Sequence, residues 1–551
     1  MIKKITSFPF FWLLLIVLVG LAIRLILFTG QIRGDDYYYA KSAFELTQGR
    51  THFGVWSFGT SRVGLYAPTA LLYTVFGVSP LTTAAFPLLT SLGTVVLVYL
   101  LATLYAPPKA GLIGAMLWAV FPLDIFLATD LMPDAPTAFF YTGVMYFFLR
   151  AYRATPLRER LFWNLGALVC LIWGFYVKPT IIAAPLAIGI FISIQMAKLV
   201  YQRFLARRIA VRFLLKSFLL TFALLLLGII LFSGTLPIKL ARAGTDFSML
   251  LTIGKTNIHS SGFIVTYTPL FLLFGPLFLI SVFHLLINST KRANDLLALV
   301  LIGLAYFEWG SFETNIFKYN PLWDWGEARY VIYLLPGLVA LAAMYLARFV
   351  QEDVLRRLIL IWAPLIIVLA IIMSNPGSEA LGNRFSETAV VLSLIGILVS
   401  VLWRPSKTQS LVNPWFGAGL ILLINLGAMA PVQPSDWRFF APRLAMLANL
   451  QEAAQAFDIE SDGLVFTDHP NMQLEFSFDF ALSVDWENQF PADPNGRLRL
   501  VTSTSNLVLP SNSLLFLFNS DNQPPRDAQL ISEHYFERQL LFRVYGPLDA
   551  E

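Results

Sequence analysis

The chain has 551 residues, 57% of them hydrophobic and only 13% charged, with a net charge of +5. Soluble domains carry about 25% charged residues, so most of this chain must lie in lipid. The positive charge does not point to nucleic acid, because the Lys and Arg residues sit in short loops between apolar runs. The lone cysteine, Cys170, excludes an intramolecular disulfide and a cysteine-based metal site.

Taken in order, the apolar runs predict about thirteen membrane spans, at 8–29, 80–104, 111–128, 135–150, 162–177, 180–198, 217–234, 264–287, 296–308, 330–348, 358–374, 387–403 and 415–431. A straight span needs roughly 20 residues, and the shorter runs fit buried, tilted or broken helices. The start, MIKK before a long apolar run with no small-residue cleavage site, reads as an uncleaved signal anchor. Alternate loops hold the cations: Lys109, then Arg150, Arg153, Arg158 and Arg160, then Lys198 to Lys216, then Lys291 and Arg292, then Arg348, Arg356 and Arg357, then Arg404 and Lys407. Cationic loops mark the cytoplasmic side, which puts the N-terminus in the cytoplasm and, with an odd span count, the C-terminus outside.

The expected architecture is a polytopic all-α membrane bundle over residues 1–431, with a first outer loop at 30–79. A small α/β extracytoplasmic domain is expected over 432–551. In that last part helices are expected near 441–457 and 471–482, and strands near 463–467, 497–503, 513–518 and 539–545.

The chemistry-bearing residues lie in the loops predicted to face outward. In the first, Asp35 and Asp36 precede YYYAKSAFELTQG, which suits a short amphipathic helix ended by Gly49. Tyr39, Ala43 and Leu46 share one face, and Lys41, Glu45 and Gln48 another. A second short helix is expected at 66–76, ending at Gly77. The next outward turn, TDLMPDAP, carries Asp130 and Asp134, with Asp134 at the start of a helix between Pro133 and Pro136. For Asp35, Asp36 and Asp134, helix capping and chemistry both stand as readings. Anionic membranes attract bases rather than acids to their surface, so carboxylates repeated at one face favour chemistry.

Cations accompany them: Arg62 in the first loop, Lys178 in the turn YVKPT, and Arg329 leading into a span. Lys178 reads either as a functional cation or as one snorkelling to the interface. Arg24, inside the first span, needs a partner: an acid of the outward face is a candidate, and a structural ion pair stands beside a substrate contact as a reading. Carboxylates suit activation of an acceptor hydroxyl or amine, and cations suit a phosphate held at the membrane surface.

The first span followed by GDDYYYAKSAFELTQG and YAPTALLYTVFG resembles the GT-C superfamily of membrane glycosyltransferases. It is most similar to the bacterial branch that includes protein O-mannosyltransferases and the lipid A aminoarabinose transferase. LMPDAP, GEARYVIYLLPG at 326–337 and TDHPNMQLEFSF at 467–478 extend the resemblance. Ala67-Pro68 departs from the usual Pro-Pro, and the long lumenal domain of eukaryotic protein mannosyltransferases is absent.

The resemblance implies an inverting glycosyltransferase that moves a sugar from a polyprenyl-phosphate donor to a lipid, glycan or protein acceptor at the outer face of the cytoplasmic membrane. It implies that Asp35 is the base, Asp36 the second member of the pair, and Asp134 a residue that positions the acceptor. Arg62, Lys178 and Arg329 are then the donor-phosphate cations. No cofactor is assured; Asp35 and Asp36 are able to hold a divalent ion, but too few ligands accompany them to predict one. The competing reading is a non-enzymatic transporter or flippase for a lipid-linked substrate. That reading calls for charges deep within spans and for inverted repeats. A polymerase or ligase of lipid-linked glycans shares the donor face but calls for leading arginines rather than an early Asp pair.

Overall fold

The computed structural model describes residues 9–28, 35–49, 62–178, 183–205, 329–374 and 414–429. It also describes the segments 464–467, 498–500, 513–517, 523–536 and 539–547, with a few short stretches between. The helical part comprises α1 (Pro9–Ile26), α2 (Asp35–Thr47), α3 (Val63–Phe76), α4 (Pro80–Thr103), α5 (Pro108–Ala119) and α6 (Pro122–Leu127). It continues with α7 (Asp134–Arg153), α8 (Leu157–Val177), α9 (Ala183–Leu205), a 3-10 helix (Arg329–Leu334), α10 (Leu335–Leu346), α11 (Glu352–Met373) and α12 (Pro414–Met429). Among the described residues, α1, α4, α8 and α11 are long and apolar enough to cross a membrane. The expected spans at 217–234, 264–287, 296–308 and 387–403 lie outside the described residues, apart from isolated positions.

Two differences from the sequence reading matter. The span expected at 111–128 is two helices, α5 and α6, broken at Val120–Phe121. Pro122 has no N–H and pushes the residue before it out of helical backbone; Phe121 is extended, with φ −69° and ψ 115°. The span expected at 330–348 begins as a 3-10 helix and becomes α-helical only at Leu335, where Pro336 sits in the first turn.

Helix α5 is the centre of the bundle. Every residue from Ala110 to Ala119 is buried, as expected of a helix that is apolar on all sides. It packs against α1, α4 and α10, and Trp118 at its end stacks on Phe121 with ring centroids 4.7 Å apart. Helix α8 lies at the other extreme, with Leu161, Phe162, Leu165, Val169 and Ile172 exposed along its length.

The helix ends sort into two groups. At one end Lys109 donates to the Val350 carbonyl at 2.7 Å. There too Arg153 donates to the Leu104 carbonyl, and its guanidinium lies 4.9 Å from the Tyr105 ring. At the other end, Ser79 starts α4 with a capping box: its hydroxyl accepts from the Thr82 amide at 3.1 Å, and the Thr82 hydroxyl accepts from the Ser79 amide at 2.8 Å.

Toward the C-terminus the described residues form a five-stranded mixed sheet in the order β2-β1-β3-β5-β4. The strands are β1 (Leu464–Thr467), β2 (Leu498–Leu500), β3 (Ser513–Leu517), β4 (Ala528–Phe536) and β5 (Gln539–Pro547). The three strands β2, β1 and β3 are parallel, and β5 and β4 are antiparallel additions. Strand β4 has no counterpart in the sequence reading; its pairing with β5 shifts at Leu530/Ser532, where Ile531 is an extra residue that interrupts the alternation of β4. The helices expected near 441–457 and 471–482 lie outside the described residues.

The Ser79 capping box ties the surface segment to the first long helix that follows it. Ser79→Ala is expected to destabilise the protein by about 1 kcal/mol, read as a lowered thermal-unfolding midpoint in detergent.

Candidate functional site

The first outer segment folds as two short helices, α2 and α3, packed on each other. Gly49 and Gly77, with φ of 70° and 77°, close them. Asp35 and Asp36 both lie in the first turn of α2 rather than before it, where carboxylates are favoured by the helix dipole. The Asp35 side chain lies outside the described residues, whereas Asp36 is fully buried. Ala43 of α2 packs with Tyr66, Ala70 and Tyr73 of α3. On the opposite face Lys41 and Glu45 form a half-buried pair at 3.8 Å.

Tyr73 links this pair of helices to α4 through a 2.8 Å hydrogen bond with the Thr83 hydroxyl. Burial pushes the Tyr73 hydroxyl well above its ordinary range, and the nearby Asp36 carboxylate adds to this, against the lowering effect of Thr83. Tyr73 therefore stays protonated at neutral pH and has no capacity to act as a base there.

Arg62 stands at the N-terminus of α3. Its guanidinium lies over the buried Tyr39 ring, 5.0 Å from the centroid, a contact that orients the charge while leaving it charged. Two residues on, Gly64 rests directly on the end of α8. A Cβ there would come within 2.8 Å of the Tyr176 carbonyl carbon and the Val177 nitrogen, and within 2.9 Å of the Trp173 oxygen. The Gly64 carbonyl accepts from the Trp173 indole at 3.1 Å.

The residue that follows Val177 is Lys178. It is buried, and its ammonium donates to the Asp134 carboxylate at 2.6 Å. Asp134 opens α7 and is buried too. Its acid thus comes from 44 positions earlier in the chain. Asp130, in the turn between α6 and α7, is also fully buried. Arg329 opens the 3-10 helix that packs along α7, where Tyr333 meets Tyr141 at 4.9 Å between ring centroids. The Arg329 side chain lies outside the described residues.

The site residues named from the sequence thus fall on elements in mutual contact. Helix α2 lies on α3, α3 on the end of α8, and the end of α8 on the start of α7 through the Asp134–Lys178 pair. Among the described residues, no group of three or more His, Cys, Asp or Glu gathers to hold a metal ion.

One charged group escaped the sequence reading. Asp124, counted within an apolar span, binds Arg24 at 2.5 Å, and both are fully buried. Arg24 thus has a structural ion pair, with an acid from within an expected span rather than from an outward loop. An acid inside an apolar run, opposite an Arg inside another, is the signal that would have found the pair.

Residues 65–238 match the family described as dolichyl-phosphate-mannose-protein mannosyltransferase. No curated protein matches the chain by sequence. Two crystal structures of ArnT from Cupriavidus metallidurans, in the apo state and bound to undecaprenyl phosphate, superpose with a TM-score of 0.57. They are 14% identical to the chain, cover 97% of it, and are themselves covered to 97% and 98%. A structure of the Archaeoglobus fulgidus oligosaccharyltransferase, tethered with an acceptor peptide, matches at 15% identity with a TM-score of 0.42, covering 79% of this chain and 55% of its own.

The likeness to ArnT is one of fold. With the family match, it bears out the resemblance to the GT-C superfamily of membrane glycosyltransferases. The described residues are mostly helical, and the chain is a multi-pass membrane protein that shares the fold of ArnT.

The contact at Gly64 yields a direct test. Gly64→Ala forces a methyl group against backbone that has no rotamer to move, and is expected to destabilise by about 1–3 kcal/mol, measured by thermal unfolding of the purified protein.

Proposed function

We propose that the chain is an inverting glycosyltransferase that moves a sugar from a polyprenyl-phosphate donor to an acceptor at the outer face of the cytoplasmic membrane. The observation that carries this reading is the convergence of acids and cations at one end of the bundle. The Asp134–Lys178 pair lies beside the close contact that seats the Arg62 end of α3 on α8. Helix α2, which bears Asp35 and Asp36, packs on α3.

In this reading Arg62 and Lys178, with Arg329, face the donor phosphate. A phosphate is already a competent leaving group, so the protein need only stabilise the charge that grows on it as the glycosidic bond breaks. The acceptor hydroxyl attacks the anomeric carbon from the opposite side and loses its proton to a carboxylate within hydrogen-bond reach. Asp35 takes that proton. Asp36, enclosed between helices, shapes the start of α2. Asp134 orients the acceptor and holds Lys178 toward the phosphate. A single displacement inverts the anomeric centre and needs no covalent sugar–enzyme intermediate.

In this reading the N-terminus is cytoplasmic and the site outside, supported by the preference of cationic loops for the cytoplasmic side. Residues 432–551 form an extracytoplasmic α/β domain in this reading, built on the five-stranded sheet. Lipid, glycan and protein hydroxyls all satisfy the acceptor chemistry, and the ArnT structure bound to undecaprenyl phosphate supports a polyprenyl phosphate on the donor side.

One observation speaks for the transporter reading: the Arg24–Asp124 pair sits deep among the spans. That guanidinium, however, donates to Ser91, Gly20, Ala119 and Asp124, and neither residue is exposed, as suits a structural role.

Membranes carrying the protein, given labelled polyprenyl-phosphate sugar, test the assignment. Asp35→Asn and Asp134→Asn are each expected to lower transfer by at least about a hundredfold, within the range for a positioned acid–base group. Normal transfer by both variants would sink the assignment, and vesicle transport without transfer would establish the alternative.

A further inference from the structure

The break between α5 and α6 is bridged by one side chain. A helix end leaves carbonyls without partners, and the carbonyl of Ala119, the last residue of α5, accepts from Arg24 Nη1 at 3.0 Å. The same guanidinium donates from Nη2 to Asp124 Oδ2 at 2.5 Å, in the first turn of α6. Its Nε donates to the Ser91 hydroxyl of α4 at 2.8 Å, and Nη1 also reaches the Gly20 carbonyl of α1 at 2.9 Å. The Ser91 hydroxyl in turn donates to Asp124 Oδ2 at 2.5 Å. Arg24 thus holds both sides of the break and ties them to α1 and α4.

From this point to Asp134 the chain has no slack. All residues from Pro122 to Asp134 are buried. The turn is braced by bonds from the Ala128 amide to the Asp124 carbonyl at 2.9 Å, and from the Met132 amide to the Asp130 carbonyl at 2.8 Å. The Thr137 hydroxyl donates to the Pro133 carbonyl at 2.6 Å. A close-packed segment transmits displacement at one end to the other.

We propose that Arg24, Asp124 and Ser91 are positioning residues for the transfer reaction: by fixing the α5–α6 break they fix the turn that presents Asp134 to Lys178. This rests on the role given to Asp134 above. Removing one member of a buried pair leaves an uncompensated charge and endangers folding, whereas replacing both by apolar residues of similar volume is often tolerated. The informative variant is therefore Arg24→Met together with Asp124→Leu, which abolishes the bridge without orphaning a charge.

The experiment compares this double variant with the natural full-length chain in lipid nanodiscs, by thermal unfolding and by amide hydrogen exchange. Transfer from labelled polyprenyl-phosphate sugar is measured in membranes that hold the acceptor. The expected result is a folded protein with donor KM within about twofold and kcat lowered on the order of tenfold to a hundredfold, as for an ångström-scale misplacement. Amide exchange should rise in 124–134 and stay unchanged in 157–177.

A folded double variant with the natural kcat and natural exchange in 124–134 overturns the proposal. If the double variant fails to fold, Ser91→Ala replaces it. A fall in kcat of a few fold with faster exchange in the same segment is then expected, and no change in either overturns the proposal. If Asp134→Asn transfers normally, the functional reading fails separately, and the exchange comparison still decides whether the bridge holds the turn.

Discussion

A charge inside a membrane bundle must be matched by another charge and by hydrogen bonds, because hydrocarbon offers it no water. Two matched pairs organise the described part of this protein. Arg24–Asp124 lies within the bundle and spans the break in the central helical segment. Asp134–Lys178 lies at the end of the bundle, ten positions along the chain from Asp124, and joins the start of α7 to the end of α8. The first pair is a joint between helices, and the second joins two helix ends at the site proposed for the chemistry.

The surface helices are fastened to the same place by different means. Their own interface is small and aromatic, with Tyr66 and Tyr73 against Ala43. Tyr73 pins them to α4 through Thr83, and the Cβ-less Gly64 lets α3 approach the backbone of α8 at Tyr176 and Val177. Arg62, held over Tyr39, is carried to that junction. In the proposed function a lipid phosphate meets a cation fixed by an aromatic ring on one side and an ammonium fixed by a carboxylate on the other. Both are oriented before the ligand binds, which is what lets a site stabilise leaving-group charge without reorganising.

Much of this was legible in the sequence because it depends on local pattern. The two short helices, their glycine ends and the helix starting at Asp134 follow from spacing and backbone preference. Apolar run length located the long helices. The pairing of Lys178 with Asp134 was not legible, since it depends on how α7 and α8 align over 44 positions. Asp124 was hidden for another reason: one acid in a run otherwise apolar barely alters its length or composition. The sign of trouble was Pro122, two residues earlier, which broke the helix where a single span was expected. Strand β4 escaped where the extra residue Ile531 interrupts the alternation that marks a strand. In each case the missing information was tertiary.

The most direct measurement is a structure of the full-length chain in nanodiscs with polyprenyl phosphate bound. The account predicts the phosphate at the junction of α3, α7 and α8, within hydrogen-bond distance of Arg62 or Lys178, with its isoprenoid chain running down the lipid-facing side of the bundle. A phosphate bound instead at the opposite end, near Lys109 and Arg153, would contradict it.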